Sequence, residues 1–206
     1  MIIGFAGAAG SGKDTAAQAL IERLGFKKAS FAKPLKDALD YVFRWESNWD
    51  SLEWKETPNI NAFGLTPRYI AQTFGTDWGR NMIDKDLWVT LALAQLPNDG
   101  NHVFTDVRFP NEAAAIRSVG GIIIFVRCVD RETGTASHDH ESEAWLEWLY
   151  HYADCDIAAQ FGQIEELQEA AVNVAENYIN HDIPRYTPGA DVMRLLNDLE
   201  AGKPNA

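Results

Sequence analysis

The stretch with the most chemistry in its residue types opens the chain: Gly7-Ala8-Ala9-Gly10-Ser11-Gly12-Lys13-Asp14-Thr15. Its spacing, Gly-x4-Gly-Lys, is that of a phosphate-cradling loop. Such a loop turns several backbone N–H groups into one concavity. The helix that follows adds partial positive charge, and the lysine adds a full one. The chemistry is therefore polyphosphate binding, with Gly10, Ser11, Gly12, Lys13, Asp14 and Thr15 as the expected contacts. Asp14 stands where Ser or Thr ordinarily follows the lysine. Beside a triphosphate its carboxylate is repelled unless a cation intervenes; its plainer reading is a first-turn acid favoured by the helix dipole. The plainer reading of the whole stretch is a Gly-rich strand-to-helix turn with no ligand.

Phosphoryl transfer asks for positioning and charge neutralisation more than for covalent chemistry. Lys13 suits the β- and γ-phosphates of ATP. Asp14, Thr15 and Asp106 are the oxygens available to magnesium, directly or through water. Arg68, Arg80, Arg108, Arg127 and Arg131 fall in expected loops or at helix starts. They suit a small anionic substrate; the competing explanation for each is a surface ion pair. The Asn-Lys-x-Asp guanine signature of translation-type GTPases is missing. His138-Asp139-His140-Glu141 lacks the i,i+4 spacing of a helical metal site, so a loop contact or helix cap is the expectation there.

The chain has 206 residues, enough for a compact domain with a real core. Eighteen Lys and Arg against 30 Asp and Glu give a net charge of −12. That balance lacks the footprint for clamping a nucleic acid polymer, whereas a mononucleotide needs only a few local arginines. Cys128 and Cys155 are far apart, without zinc-ligand spacing, and read as reduced core thiols. The N-terminus reads as a first strand rather than a signal peptide, and no apolar run approaches a bilayer span. A soluble, cytoplasmic protein is the expectation.

The elements that must position these residues alternate. Ile2–Ala6 is apolar and precedes the loop; Asp14–Leu24 has helical spacing and stops at Gly25. A short strand is expected over 26–31, then a helix opened by 32–36, with Pro34 in its first turn, and running to about Arg44. Residues 45–63 carry Trp45, Trp49 and Trp54 with little periodicity. They read as a long loop, either an amphipathic cover over a satellite core or a substrate flap. Thr66-Pro67 starts a helix, which is expected to break at 74–80 where Gly75 and Gly79 occur. A helix over 85–96, a strand over 103–106 and a helix after Pro110 follow. Ile122–Val126 is uniformly apolar, as in a strand buried on both faces. After a polar loop over 127–140, a helix (141–150), a strand (154–158) and a closing helix with Ile164, Leu167, Ala171, Val174 and Tyr178 on one face complete the pattern. The fold class expected is α/β: three layers, a mostly parallel five-stranded sheet with helices on both faces. Ligands then collect at the carboxyl ends of the strands.

Several motifs together carry a family resemblance. They are Gly12-Lys13-Asp14-Thr15, Phe31-Ala32-Lys33-Pro34-Leu35-Lys36, Thr66-Pro67-Arg68 with Gln72, Phe74-Gly75-Thr76, Asp106-Val107-Arg108-Phe109-Pro110-Asn111-Glu112 and His140-Glu141-Ser142-Glu143. The chain resembles the deoxynucleoside monophosphate kinases of bacteriophages, a branch of the P-loop nucleoside monophosphate kinase fold. The resemblance implies ATP- and magnesium-dependent phosphate transfer to a deoxynucleoside monophosphate (dNMP) in the host cytoplasm, and often a homodimer. It implies a kinase domain over 1–180, with a substrate flap at about 45–82 and a lid at about 127–140. The tail, 181–206, is left without a role. The catalytic candidates are Lys13, Asp106 and Arg131; the acceptor-site candidates are Lys36, Arg68, Gln72, Arg80, Trp88 and Arg108. Core packing is the alternative for Trp88. A dephospho-coenzyme A kinase-like enzyme and a non-catalytic nucleotide-binding module remain the alternatives for the chain.

Overall fold

The computed structural model of the chain describes residues 1–97, 99–130 and 144–180. They form two compact units: Met1–Lys28 with the described residues from Asp99 onward, and the described residues of Ala29–Asn98. The second is wider than the 45–82 segment expected to work as a flap.

The first unit is built on a five-stranded sheet: β1 (Ile2–Ala6), β2 (Lys27–Ala29, where the chain leaves this unit), β3 (His102–Val107), β4 (Ile122–Cys128) and β5 (Cys155–Ala159). The strand order is β2-β3-β1-β4-β5. β1 pairs in parallel with both β3 and β4, and β4 in parallel with β5. Parallel strands need covered faces, and the alternation along β1 shows how they are covered. Ile3 and Phe5 join Ile122, Ile124 and Val126 in one cluster with α1 (Lys13–Leu24) and the closing helix, here α8 (Ile164–Asn180). On the opposite face, a Cβ at Gly4 would come within 2.5 Å of Ile116 on α6 (Pro110–Ser118). The missing side chain at Gly4 lets α6 lie close to the central strand. The three-layer α/β expectation holds. In α8 the inward residues are Leu167, Ala171, Val172 and Ala175, while Ile164, expected on that face, is exposed.

In α7 (Leu146–Tyr152) Leu149 is fully buried, and the Asp154 carboxylate just beyond accepts the Ile123 N–H at 2.7 Å. That carboxylate also pairs with Arg117 at 3.0 Å, and the Arg117 guanidinium lies over the Tyr152 ring. The far end of α6 is thus tied to the sheet by a desolvated ion pair.

The second unit is helical: α2 (Lys33–Phe43), α3 (Leu52–Glu56), a 3₁₀ turn (Ile60–Ala62), α4 (Pro67–Gln72), a π-helix (Thr73–Ile83) and α5 (Leu87–Ala94). Two sequence expectations fail here. The 45–63 segment is not a bare loop. Trp45, Trp49 and Trp54 pack edge-on against one another at 5.0–5.8 Å and close a core with Leu35, Leu39 and Ala62. This is the amphipathic-cover reading, and it gives α3 something to fold against. Nor does the helix break at 74–80. It widens to i→i+5 bonding, as in Asp84 N–H to the Gly79 carbonyl. Gly79 makes room for an indole and Gly75 for the Leu35 side chain, instead of ending the helix. Trp88 is 5% exposed and donates its Nε1–H to the Gly75 carbonyl at 2.8 Å. A Cβ at Gly79 would fall 2.5–2.7 Å from that ring.

Gly79→Ala sets two effects against each other. Alanine favours helix by about 1 kcal/mol, whereas overpacking a fixed ring costs about 1–3 kcal/mol. The indole has no flexible end that can yield, so the clash wins. We expect a net loss of about 1–2 kcal/mol in urea unfolding followed by tryptophan fluorescence. Unchanged or increased stability would show that the ring is free to shift.

Candidate functional site

Because β1 is flanked on both sides, its carboxyl end opens at the middle of the sheet edge, and the Gly7–Lys13 loop leaves from there. Gly7 has φ 138° and Gly12 φ 98°, values that L side chains rarely adopt. A Cβ on Gly7 would also sit 2.3 Å from the Val126 carbonyl oxygen of β4. The loop is therefore pressed against the neighbouring strand, which no other residue type permits. Ser11 is buried at its centre, and Gly12 caps α1.

The Lys13 side chain turns back over the loop. Its Nζ donates to the carbonyl oxygens of Gly7 at 2.8 Å and Ala8 at 2.7 Å, with Ser11 Oγ at 3.5 Å. Burial, and then the Arg108 guanidinium, push this ammonium down to about 8, with the Asp14 carboxylate opposing. A desolvated ammonium thus stands in the field of an exposed guanidinium, an arrangement that an anion relieves.

The sheet register explains why Arg108 is there. Ala6 pairs with Val107 on one side and with Phe125 on the other. Gly7 and Arg108 are therefore the next residues beyond two strands that end level. Between Gly4–Phe104 and Ala6–Val107 the pairing slips by one residue, so β3 carries a bulge across Thr105 and Asp106. Bulges re-aim side chains and recur beside active sites; this one holds Asp106, which is half-buried.

Asp14 is exposed, with Lys28 Nζ 3.5 Å from its Oδ1. The local cation that its position called for is thus present in the chain itself. Thr15 is half-buried in the first turn of α1. Arg127 lies at the end of β4 rather than in a loop. It pairs with Asp156 of β5 and stacks over Tyr150, the surface ion pair weighed against a functional role. Arg131 and the His138–Glu141 run lie outside the described residues.

In the second unit a further group of cations gathers. Arg68, in the first turn of α4, pairs with Glu56. Lys36 of α2 lies over the Trp49 ring at 5.7 Å. Lys55, which sequence reasoning passed over, is lowered first by burial and then by Arg68 and Lys36. Its signal was a lysine among tryptophans in an acidic chain. Gln72 is exposed at the end of α4, and Arg80 is half-buried on the π-helix. Trp88 is in the core described above, not on a surface that a base could reach.

A family model described as deoxynucleotide monophosphate kinase matches residues 51–170. That range holds Thr66–Arg68 and Asp106–Glu112. A putative deoxynucleotide monophosphate kinase of Acanthamoeba polyphaga mimivirus is 37% identical over 195 residues, 86% of this chain and 97% of its own length. The deoxynucleoside-5'-monophosphate kinase of Escherichia phage T5 is 23% identical over 242 aligned positions, covering 85% of this chain and 96% of that one. Among solved structures, a dephospho-CoA kinase from Campylobacter jejuni aligns over 88% of this chain and 98% of its own, at 15% identity and a TM-score of 0.49. No helix of the described residues is long and apolar enough to cross a membrane.

The depressed ammonium makes a pH prediction. Lys13 carries its charge below about pH 8 and loses it above. A bound triphosphate favours the charged lysine. With ATP as probe, Kd is therefore expected to be nearly flat from pH 7 to 8 and then to weaken by about tenfold per pH unit. Calorimetric titrations up to pH 9.5 read this directly; a flat profile would show that Lys13 keeps its proton or does not meet the phosphates.

Proposed function

The chain belongs to the deoxynucleotide monophosphate kinase family, and from that premise we propose that it transfers the γ-phosphate of ATP to a dNMP, giving ADP and dNDP. The observation that carries this reading is the level end of β1 and β3. It sets a desolvated lysine on a glycine loop beside an arginine at the carboxyl edge of a parallel sheet.

The step needs no protein nucleophile. An oxygen of the acceptor phosphate attacks the γ-phosphorus in line, the bond to the β-phosphate bridging oxygen breaks, and ADP leaves with that electron pair. The loop N–H groups from Gly10 to Thr15 hold the donor phosphates. The Lys13 ammonium exchanges its bonds to the Gly7 and Ala8 carbonyls for phosphate oxygens. Arg108 faces the charge that develops during transfer. Lys36, Arg68, Gln72 and Arg80, joined by Lys55, are assigned to the acceptor nucleotide; Arg131 is assigned to the transferring group.

Magnesium fits the donor set at this sheet edge. The Asp106 carboxylate and Thr15 hydroxyl are hard oxygens, and a magnesium ion held mainly by phosphates and water needs only one or two protein ligands. Its charge, held there, would offset the negative charge of the donor's β- and γ-phosphates. Asp106 would hold it through water, and Asp14, kept beside Lys28, contributes at longer range.

Lys13→Ala tests the central assignment. ADP release with each dNMP, and with dephospho-coenzyme A as the competing acceptor, is expected to fall by about 10²–10³-fold for the preferred dNMP. Far-UV circular dichroism should be unchanged. Near-wild-type turnover in the variant would remove Lys13 from the mechanism. Turnover of dephospho-coenzyme A alone would replace the acceptor.

A further inference from the structure

At the junction of β3 and α6 sits a carboxylate that the phosphate chemistry leaves unused. Glu112 is 2% exposed. Its Oε2 accepts the backbone N–H of Arg108 at 2.7 Å and that of Phe109 at 3.0 Å. Glutamate at this third helical position commonly forms half of a capping box, whose other half is a hydroxyl on the cap residue. Here the cap residue is Phe109, which has no side-chain acceptor. The Glu112 N–H bonds instead to the Phe109 carbonyl at 3.1 Å.

Capping α6 explains the bond to Phe109 but not the rest. The shorter bond reaches one residue farther back, to an N–H outside the helix. A capping glutamate also works at the surface, whereas a buried carboxylate is costly unless its bonds compensate. Both features make sense if the object being held is the peptide of Arg108. That peptide follows directly on Val107, the register partner of Ala6, and the Arg108 guanidinium reaches the field of Lys13. An arginine side chain has many rotamers, so a fixed backbone origin matters for returning its charge to one place.

We infer that Glu112 is a positioning residue for phosphoryl transfer: it clamps the Arg108 peptide so that the guanidinium stands beside Lys13 at the transferred phosphate. The inference rests on the kinase reading of Arg108. It separates Glu112 from the helix cap it resembles, because a cap stabilises α6 whatever side chain residue 108 carries, whereas a clamp matters to catalysis only through the arginine.

A double-mutant cycle on the full-length protein distinguishes the two, with kcat/KM for the preferred dNMP as readout. Arg108→Ala is expected to lose about 100-fold. Glu112→Gln keeps the size and one acceptor oxygen but not the charge, and is expected to lose about tenfold in the wild-type background. In the Arg108→Ala background it should change activity by no more than about twofold. If the same tenfold factor appears in both backgrounds, Glu112 acts independently of Arg108 and the inference falls while the kinase reading stands. If Arg108→Ala is fully active, the role of Arg108 falls and the inference with it. Thermal melts accompany each variant; should Glu112→Gln fail to fold, Glu112→Asp, which keeps the charge but shortens the reach, replaces it in the cycle.

Discussion

The ammonium of Lys13 is the group on which the first unit depends. It is desolvated, bonded to two carbonyls of its own loop and held in the field of a second cation. In water that concentration of charge would be worth little, because the solvent screens it. Removed from water, it becomes a preorganised demand for anionic oxygen. The demand is local: the chain as a whole carries −12. A strong local field in an acidic molecule favours a small polyanion over an extended one.

Everything near the loop serves to keep that charge in place. Gly7 lets the backbone pass within contact of the Val126 carbonyl, so β4 acts as the floor of the loop. Ser11 is buried beneath it. β3 ends level with β1 and bulges one residue before its end, which re-aims Asp106 and delivers Arg108 at the edge. Glu112 closes the turn that follows. These are backbone devices, and they give a rigid origin to side chains that are themselves long and flexible.

The second unit solves a different problem. Its described elements beyond Ala29 are short helices, so its core is made from large aromatic surfaces. The three tryptophans of the 45–54 stretch stack edge to face over Leu35 and Leu39, and Trp88 fills the space that Gly79 leaves on the π-helix. Lys36, Lys55 and Arg68 lie on elements built around this core. Aromatic packing supplies the stiffness that short helices lack, and it leaves polar ends such as Trp49 Nε1, bonded to Asp40, at the rim.

Local pattern was enough for much of this. The phosphate loop, its bracketing strand and helix, the buried β4 and the alternation of elements all follow from spacing, because backbone geometry and burial periodicity act over a few residues. So did the family, through runs such as Asp106–Glu112. What spacing could not convey was anything set by a distant partner. Gly75 and Gly79 look like helix breakers until Leu35 and the Trp88 ring occupy the space they leave. Trp45, Trp49 and Trp54 look like a loop until they meet one another. Arg127 looks like a free cation until β5 brings Asp156 across from it. The same holds at the loop where the chain begins its chemistry. The residues Gly7 to Thr15 determined that a phosphate could be held. Only the register of β1 against β3 placed Arg108 beside Lys13, because residues about a hundred positions apart share a sheet edge only once the sheet has formed.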